Sequence, residues 1–114
     1  MRRYLISFND GDMTFPGEEL AQVAEESHAV VREAKAAGVW IFGGGFEGFE
    51  TVVVDEDGQV TQGPIKHSDV HIGGFSIIEV KTEEEAYYWA AKIAKSCRCK
   101  QEVREFMFDP ESTN

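Results

Sequence analysis

Two of the three histidines and one aspartate alternate within five residues of this chain, as His67, Asp69 and His71. Where a chain is locally extended, alternate side chains point to the same side, so these three would share one surface. A carboxylate beside an imidazole can orient it as a general base, and two histidines with one carboxylate can also form a weak metal site. An ordinary polar surface loop is the third interpretation. The pattern therefore marks a candidate site with three alternative roles.

Residues that constrain or free the backbone flank this candidate site. Gly63-Pro64 precedes it, and proline fixes its own φ and lacks a backbone N–H, so a regular strand ladder cannot continue there. Gly73-Gly74 follows it, and the missing side chains permit unusual φ angles or close approach by another group. A titratable loop held between two fixed ends is typical of a functional segment.

The third histidine, His28, lies in a segment whose apolar residues recur at helical spacing. At about 100° per residue, it is about 80° around the helix from Leu20, at the edge of the apolar stripe. A histidine at the border between core and solvent can titrate while its ring is held in place. The position also suits an ordinary half-buried helix histidine, so both interpretations stand.

The surrounding sequence argues against a functional role for two other motifs. The run from Gly43 to Gly48 has the spacing of a dinucleotide-binding loop, but a strand and not a helix is expected after it, which favours a bend or bulge between strands. Cys97 and Cys99 supply only two of the three or four ligands that zinc needs, and there is no second cysteine pair. Cys97 continues the apolar stripe of a helix, so core packing is predicted.

The charge balance limits the classes of partner. The 114 residues carry a formal net charge of −10, which argues against binding to a phosphate backbone. No apolar run approaches the roughly 20 residues needed to cross a bilayer, and the run after Arg2-Arg3 is too short for a signal peptide. We therefore expect a cytoplasmic protein with reduced cysteines, and neither nucleic acid nor a membrane as partner.

Periodicity and turn residues predict one domain over residues 1–108, followed by a polar tail at 109–114 that we expect to be frayed. Strands are expected at 4–8, 39–42, 75–80 and 102–108, a hairpin at 51–54 and 59–61, and helices from Gly17 to Gly38 and from Thr82 onward. The order β-α-β-(hairpin)-β-α-β is the ferredoxin-like α+β plan, an antiparallel sheet with two helices on one face.

The second strand points to a partner. Trp40 and Phe42 are expected on one face of the sheet and Val39 and Ile41 on the other, so both faces are apolar. Two helices cover only one face, and the other needs a cover. An identical sheet is the simplest cover, so the pattern predicts a homodimer packed sheet to sheet.

These features together resemble the YCII-related proteins, and within them the DGPF-type branch of the dimeric α/β-barrel superfamily. Gln62-Gly63-Pro64 stands where the branch has Asp-Gly-Pro-Phe, and residues 73–80 are similar to its Gly-Gly-Phe strand. Residues 84–91 resemble its helix, and Gln101-Glu102-Val103-Arg104 resembles its closing Val-Glu-Val-Arg strand. The resemblance runs from Tyr4 to about Phe106 and implies a dimeric α/β barrel.

The chain departs from that branch in the loop, where Gln62 and Ile65 replace Asp and Phe, and residues 67–71 replace Ala-Glu-Thr-Lys-Glu. His28 lies close to the first-helix histidine that YCII-type members are thought to use in an acid–base pair, so the resemblance implies that His28 is a site residue. The aspartate partner has no match around residues 94–96. The available substitutes are Asp10, Asp12 and Asp69.

The expected function is that of a small-molecule-binding protein or enzyme, with a cleft between helices and sheet bordered by His28 and residues 67–71. In an enzyme, a histidine general base would abstract a proton in a lyase or isomerase step. The candidate catalytic residues are His28, His67, Asp69 and His71. The sequence identifies neither a cofactor nor a metal. The alternative is a non-catalytic dimeric module that binds a metabolite or a protein in regulation.

Overall fold

The computed structural model describes residues 1–46, 51–64 and 70–113. Within these ranges the helices and strands are β1 (Arg2–Asn9), α1 (Leu20–Ala36), β2 (Trp40–Gly45), β3 (Val52–Val54), β4 (Val60–Gln62), β5 (Ile72–Val80), α2 (Glu83–Cys97) and β6 (Glu102–Glu105). Short 3-10 turns cover Gly17–Glu19 and Pro110–Ser112.

The strands form two sheets. One is a four-stranded antiparallel sheet in the order β2-β5-β1-β6, and the other is the two-stranded β3–β4 hairpin. The central strands β1 and β5 pair from Arg2 opposite Val80 to Asn9 opposite Ile72. The architecture is α+β and is consistent with the predicted ferredoxin-like plan, with the predicted hairpin inserted between β2 and β5.

Both helices contribute to one hydrophobic core on one face of the four-stranded sheet. The fully buried or nearly buried residues of this core come from β1, β5 and both helices, and include Tyr4, Ile6, Ala34, Ile78, Val80, Ala86, Trp89, Ala90 and Ile93. Because side chains alternate along a strand, Tyr4 and Ile6 point toward the helices whereas Leu5 and Ser7 point away from them. The second face, which we call the open face, has no helix of the described chain on it.

The helix ends follow the sequence signals. α1 is followed by Gly38 with φ of 76°, the left-handed conformation that glycine adopts without strain. At the start of α2, the hydroxyl of Thr82 accepts a hydrogen bond from the backbone N–H of Glu85 (3.2 Å), so Thr82 caps the helix that the sequence predicts from this residue onward. At its end, the guanidinium of Arg98 donates to both carboxylate oxygens of Glu26 on α1 (2.9 and 3.1 Å). This pair joins the two helices and lowers the pKa of Glu26.

The second strand differs from the prediction. Its register with β5 shifts at Ile41, so that Trp40 lies opposite Ile78 and Phe42 lies opposite Ile77. Ile78 and Ile77 point to opposite faces of the sheet. Trp40 therefore packs against the core, while Phe42 is 61% exposed on the open face. The expectation that these two aromatic residues share a face is wrong, because a one-residue irregularity reverses the alternation.

Two further expectations fail at the ends of elements. Leu20 was assigned to the apolar stripe of α1, but it is exposed because it begins the helix and the buried stripe begins one turn later, at Val23. The last strand stops at Glu105 instead of Phe108. The backbone N–H of Phe106 still donates to the carbonyl of Arg3 (2.9 Å), but β1 begins at Arg2 and offers little backbone beyond that point.

The polar tail carries some structure. The side chain of Asp109 accepts a hydrogen bond from the backbone N–H of Glu111 (3.0 Å) and so caps the short turn Pro110–Ser112. The residues of this turn are exposed.

Close packing in the sheet leads to a stability prediction. A Cβ atom at Gly74 would stand 2.6 Å from Cζ of Phe8 and 3.0 Å from the carbonyl oxygen of Gly44. This confirms the predicted close approach of another group at the glycine pair. We expect Gly74→Ala to lower the free energy of unfolding by about 1–3 kcal/mol, the usual cost of overpacking, in urea denaturation. Gly44→Ala is the matched control, because a Cβ there meets no atom within 4 Å, and equal stabilities of the two variants would contradict the prediction.

Candidate functional site

One groove brings a predicted site residue against the β3–β4 hairpin. It has a volume of about 320 Å³ and is lined by Thr51, Val52, Val53, Val54, Pro64 and His71. His71 is half-buried. Pro64 is the residue that the sequence marks as the entry of the candidate loop. The groove lies at the end of the four-stranded sheet where β5 begins.

The backbone around His71 is anchored to two neighbouring strands. The carbonyl oxygen of His71 accepts a hydrogen bond from the backbone N–H of Asp10 (2.8 Å), just beyond the end of β1. Two residues later, the carbonyl oxygen of Gly73 accepts one from the N–H of Phe46 (2.9 Å), just beyond β2. These bonds hold the start of β5 at the sheet end. The imidazole of His71 is thus carried on a fixed backbone.

The hairpin that forms the other wall is well defined. Val54 lies opposite Val60, and the side chain of Asp55 accepts hydrogen bonds from the backbone N–H groups of Asp57 and Gln59 (2.9 Å each). Gly58 supplies the positive φ of the turn, 83°. The hairpin predicted at these residues is confirmed.

The base of the hairpin brings Pro64 into the groove. The N–H of Gly63 donates to the carbonyl of Thr51 (2.9 Å), so the two ends of the hairpin are tied together. A Cβ atom at Gly63 would overlap the hydroxyl of Thr51. Glycine at this position therefore lets the chain pass close to Thr51, and the cis peptide bond Gly63–Pro64 follows.

The groove combines apolar walls with two groups capable of hydrogen bonding. The valine side chains of β3 are apolar, whereas the hydroxyl of Thr51 and the imidazole of His71 can each donate and accept hydrogen bonds. Imidazole can also take or release a proton near neutral pH. This composition suits a small molecule with an apolar part and one polar group.

His28 lies apart from this groove. It is exposed on α1 and is not among the groove-lining residues. The neighbouring Glu25 and Arg32 pair with each other (2.7 Å), and no ion pair within the described ranges includes His28. The structure thus does not bring His28 and His71 to one groove.

Two of the three substitute carboxylates, Asp10 and Asp12, follow the end of β1 at the sheet end that carries His71. Asp10 bonds through its backbone to His71, and a carboxylate oxygen of Asp12 accepts a hydrogen bond from the backbone N–H of Asn9 (3.0 Å). Asp69 and His67 lie outside the described residues. Across the described ranges, no group of three or more His, Cys, Asp or Glu side chains is placed to hold a metal ion. The metal interpretation of the His67–His71 segment therefore stays a prediction.

A second groove contains a cysteine. It measures about 290 Å³ and is lined by Asp12, Cys99 and Lys100. Cys97 and Cys99 are both free thiols, and Cys97 packs against the hydrophobic core as predicted. Burial raises the pKa of the Cys97 thiol. Burial, with the nearby Cys97 and Asp12, raises the pKa of Cys99 to about 11, so both cysteines are weak nucleophiles at neutral pH.

The raised pKa values of the two thiols lead to a prediction about pH dependence and reactivity. The pKa of Cys99 is raised from 9.0 to about 11 in the folded state. The protonated thiol therefore makes its full contribution to the free energy of unfolding below pH 9, and this contribution is lost as the pH rises toward about 11. We expect iodoacetamide to alkylate Cys99 slowly at pH 8 in the native protein and at an ordinary thiol rate in urea, measured by mass spectrometry. Equal rates in the native and unfolded protein would contradict the shift.

No protein-family model matches this chain, and neither does any curated protein sequence. Among the described helices, none has both the length and the apolar character needed to span a membrane. The fold and the groove together define an α+β protein whose candidate site is a cleft between an inserted hairpin and the end of its main sheet.

The sequence-based prediction of the site missed Thr51. Its role depends on the closure of the hairpin, which brings residue 51 next to Gly63 and Pro64. The pairing of the predicted hairpin could have indicated it. Val52 lies opposite Gln62, so the residue before β3, Thr51, is next to the residue after β4, Gly63. The Gly63-Pro64 pair therefore indicates two parts of the site: the loop that follows it, and Thr51 across the hairpin.

Proposed function

We propose that this protein binds a small organic molecule in the groove between the β3–β4 hairpin and His71. The observation that carries the proposal is the position of His71, half-buried in a groove with Thr51 and held by its backbone to Asp10. An apolar part of the ligand would contact the valines of β3. A polar group would meet the imidazole and the hydroxyl.

The same two groups support a proton-transfer step. His71 would act as a general base that removes a proton from carbon next to a carbonyl group. The hydroxyl of Thr51 would donate a hydrogen bond to the carbonyl oxygen as negative charge develops on it. Return of the proton to a different atom completes an isomerisation, and loss of a leaving group completes a lyase step.

A second candidate is binding without catalysis, as in a regulatory module. The groove is open to solvent, and two of the valines that line it, Val52 and Val54, are 67% and 60% exposed. Catalytic sites usually exclude water more completely than this. The open wall therefore favours binding over chemistry for a single copy of the chain.

The experiment is a screen of small carbonyl compounds and carboxylates by NMR, with isotope-labelled histidine and valine side chains. We expect binders to shift the His71 ring and the β3 valine methyl groups, and His71→Ala to weaken binding at least tenfold. His28→Ala is the matched control and should leave the affinity unchanged. Loss of binding in His28→Ala with retention in His71→Ala would overturn the proposed site.

The same samples in D₂O separate the two candidates. Exchange of a ligand C–H for deuterium that requires His71 identifies the general base. Binding without His71-dependent exchange or turnover identifies the regulatory module. Either result requires that circular dichroism shows the variants to be folded.

We also propose that the chain belongs to the DGPF-type branch of the YCII-related proteins and forms a homodimer through the open face, as a dimeric α/β barrel. The apolar residues of that face support it. Leu5, Phe75 and Ile77 are half-buried, and Phe42 is 61% exposed, with its ring 6.2 Å from that of Phe75. A contiguous apolar surface of this kind on an acidic protein favours contact with another protein surface.

The charges of the open face favour a second copy as the partner. Arg3 pairs with Glu79 at 2.7 Å, Arg104 lies opposite Leu5, and Glu102 lies opposite Ser7. The charged residues of this face thus balance, although the whole chain carries −10. Two copies would approach with less repulsion here than through their acidic surfaces.

Phe42→Asp tests the homodimer. A carboxylate at this exposed position would be buried against the partner, so we expect the variant to be monomeric at concentrations where the native protein is dimeric, by sedimentation equilibrium. Tyr87→Asp is the matched control, because Tyr87 is 53% exposed on α2 and away from the open face. A native protein that is monomeric at all measured concentrations would refute the homodimer proposal.

A further inference from the structure

Two apolar segments project from the main sheet and are largely uncovered in a single chain. The first, which we call the valine face, comprises Val52, Val54 and Val60, which are 67%, 60% and 60% exposed. The second, which we call the C-terminal arm, is Phe106-Met107-Phe108, with exposures of 47%, 90% and 88%. Both are unusually exposed for apolar residues of this size.

The valine face belongs to an isolated hairpin. Val54 lies opposite Val60, and Val52 is two residues from Val54, so the three side chains share one side of the hairpin. A two-stranded hairpin is at best marginally stable in water without further packing. A cover on the valine face would supply that packing.

The two segments lie at opposite ends of the four-stranded sheet. The hairpin leads into His71, which bonds to Asp10 beyond the end of β1. The arm begins with Phe106, whose backbone N–H donates a hydrogen bond to the carbonyl of Arg3 near the beginning of β1. The eight residues of β1 correspond to a separation of about 26 Å. The arm of one chain is therefore remote from the valine face of the same chain.

The open face is small for a dimer interface, so both segments would add useful area to it. Strand lengths of 8, 6, 9 and 4 residues give the sheet a flat area of roughly 430 Å². Side-chain relief adds to this, but a stable interface buries about 800 Å² on each partner. The two phenylalanines of the arm alone would add about 200 Å² or more.

Symmetry relates the two ends. If the two-fold axis lies in the interface and runs across the strands, each end of one sheet meets the opposite end of the other, and every contact occurs twice. We propose that the C-terminal arm of each copy covers the valine face of its partner and closes the open side of the groove at His71. This inference rests on the homodimer proposed above. It makes the ligand groove a composite of two chains, because Val52 and Val54 belong to both the groove and the valine face.

Disulfide trapping tests the contact. Val54→Cys and Met107→Cys change exposed positions, so neither should disturb folding. We expect a mixture of the two variants, equilibrated and then oxidised at pH 8, to give at least tenfold more disulfide-linked dimer than either variant alone. The linked peptides are identified by mass spectrometry. The native Cys97 and Cys99 should stay unreacted, because their raised pKa keeps them protonated.

Tyr87→Cys mixed with Met107→Cys is the matched control, and it should give only background cross-linking. Predominant 54–54 or 107–107 linkage would place the axis along the strands and overturn the inference. A native dimer that Phe42→Asp dissociates, but in which 54–107 linkage stays at background, would refute the arm contact and leave the sheet-to-sheet dimer standing. A native monomer would refute both. His71-dependent ligand binding is measured separately, so the failure of either proposal is recognised on its own.

Discussion

The pairing of β1 with β5 is the constraint on which the rest of the structure depends. Tyr4 lies opposite Ile78 in the core, and Leu5 lies opposite Ile77 on the open face. A shift of one residue would exchange the two sets and place the core residues in water. The same pairing sets both ends of the sheet. It brings Asp10 to His71 at one end, and β1 accepts the hydrogen bond from Phe106 at the other.

The fold was largely predictable because its signals are local. The N-cap at Thr82, the positive φ of Gly38 and the hairpin turn at Asp55 each depend on a few neighbouring residues. The faces of β2 were not predictable, because the shift at Ile41 arises from pairing with β5. Gly43 accommodates that pairing: a Cβ there would stand 2.6 Å from the carbonyl oxygen of Phe75. No periodicity within residues 39–45 reports that contact.

The prediction for His28 depended on the wrong reference point. It was placed about 80° from Leu20, but Leu20 is exposed and the buried residues of α1 are Val23 and Ala34. At about 100° per residue, His28 is about 140° from Val23 and about 120° from Ala34, so it faces away from the core. His71, by contrast, lies in the groove beside Pro64, and its prediction as a site residue came from the flanking glycine and proline residues, whose effect on the backbone does not depend on how a helix is rotated. Thr51 was not predicted from the sequence, because it lies in the groove only when the hairpin is closed.

The proposed arm contact links ligand binding to assembly. The groove wall is a hairpin with little packing of its own, and such elements belong to the low-stability end of a structure. If the partner's arm closes the groove, a ligand that binds the closed form also favours the dimer, by mass action. The side of the groove that is open in a single chain, and that favours a binding module there, would then be closed in the dimer. Under these proposals the choice between catalysis and regulation depends on the dimer, because only the composite groove would exclude bulk water from His71 and the ligand.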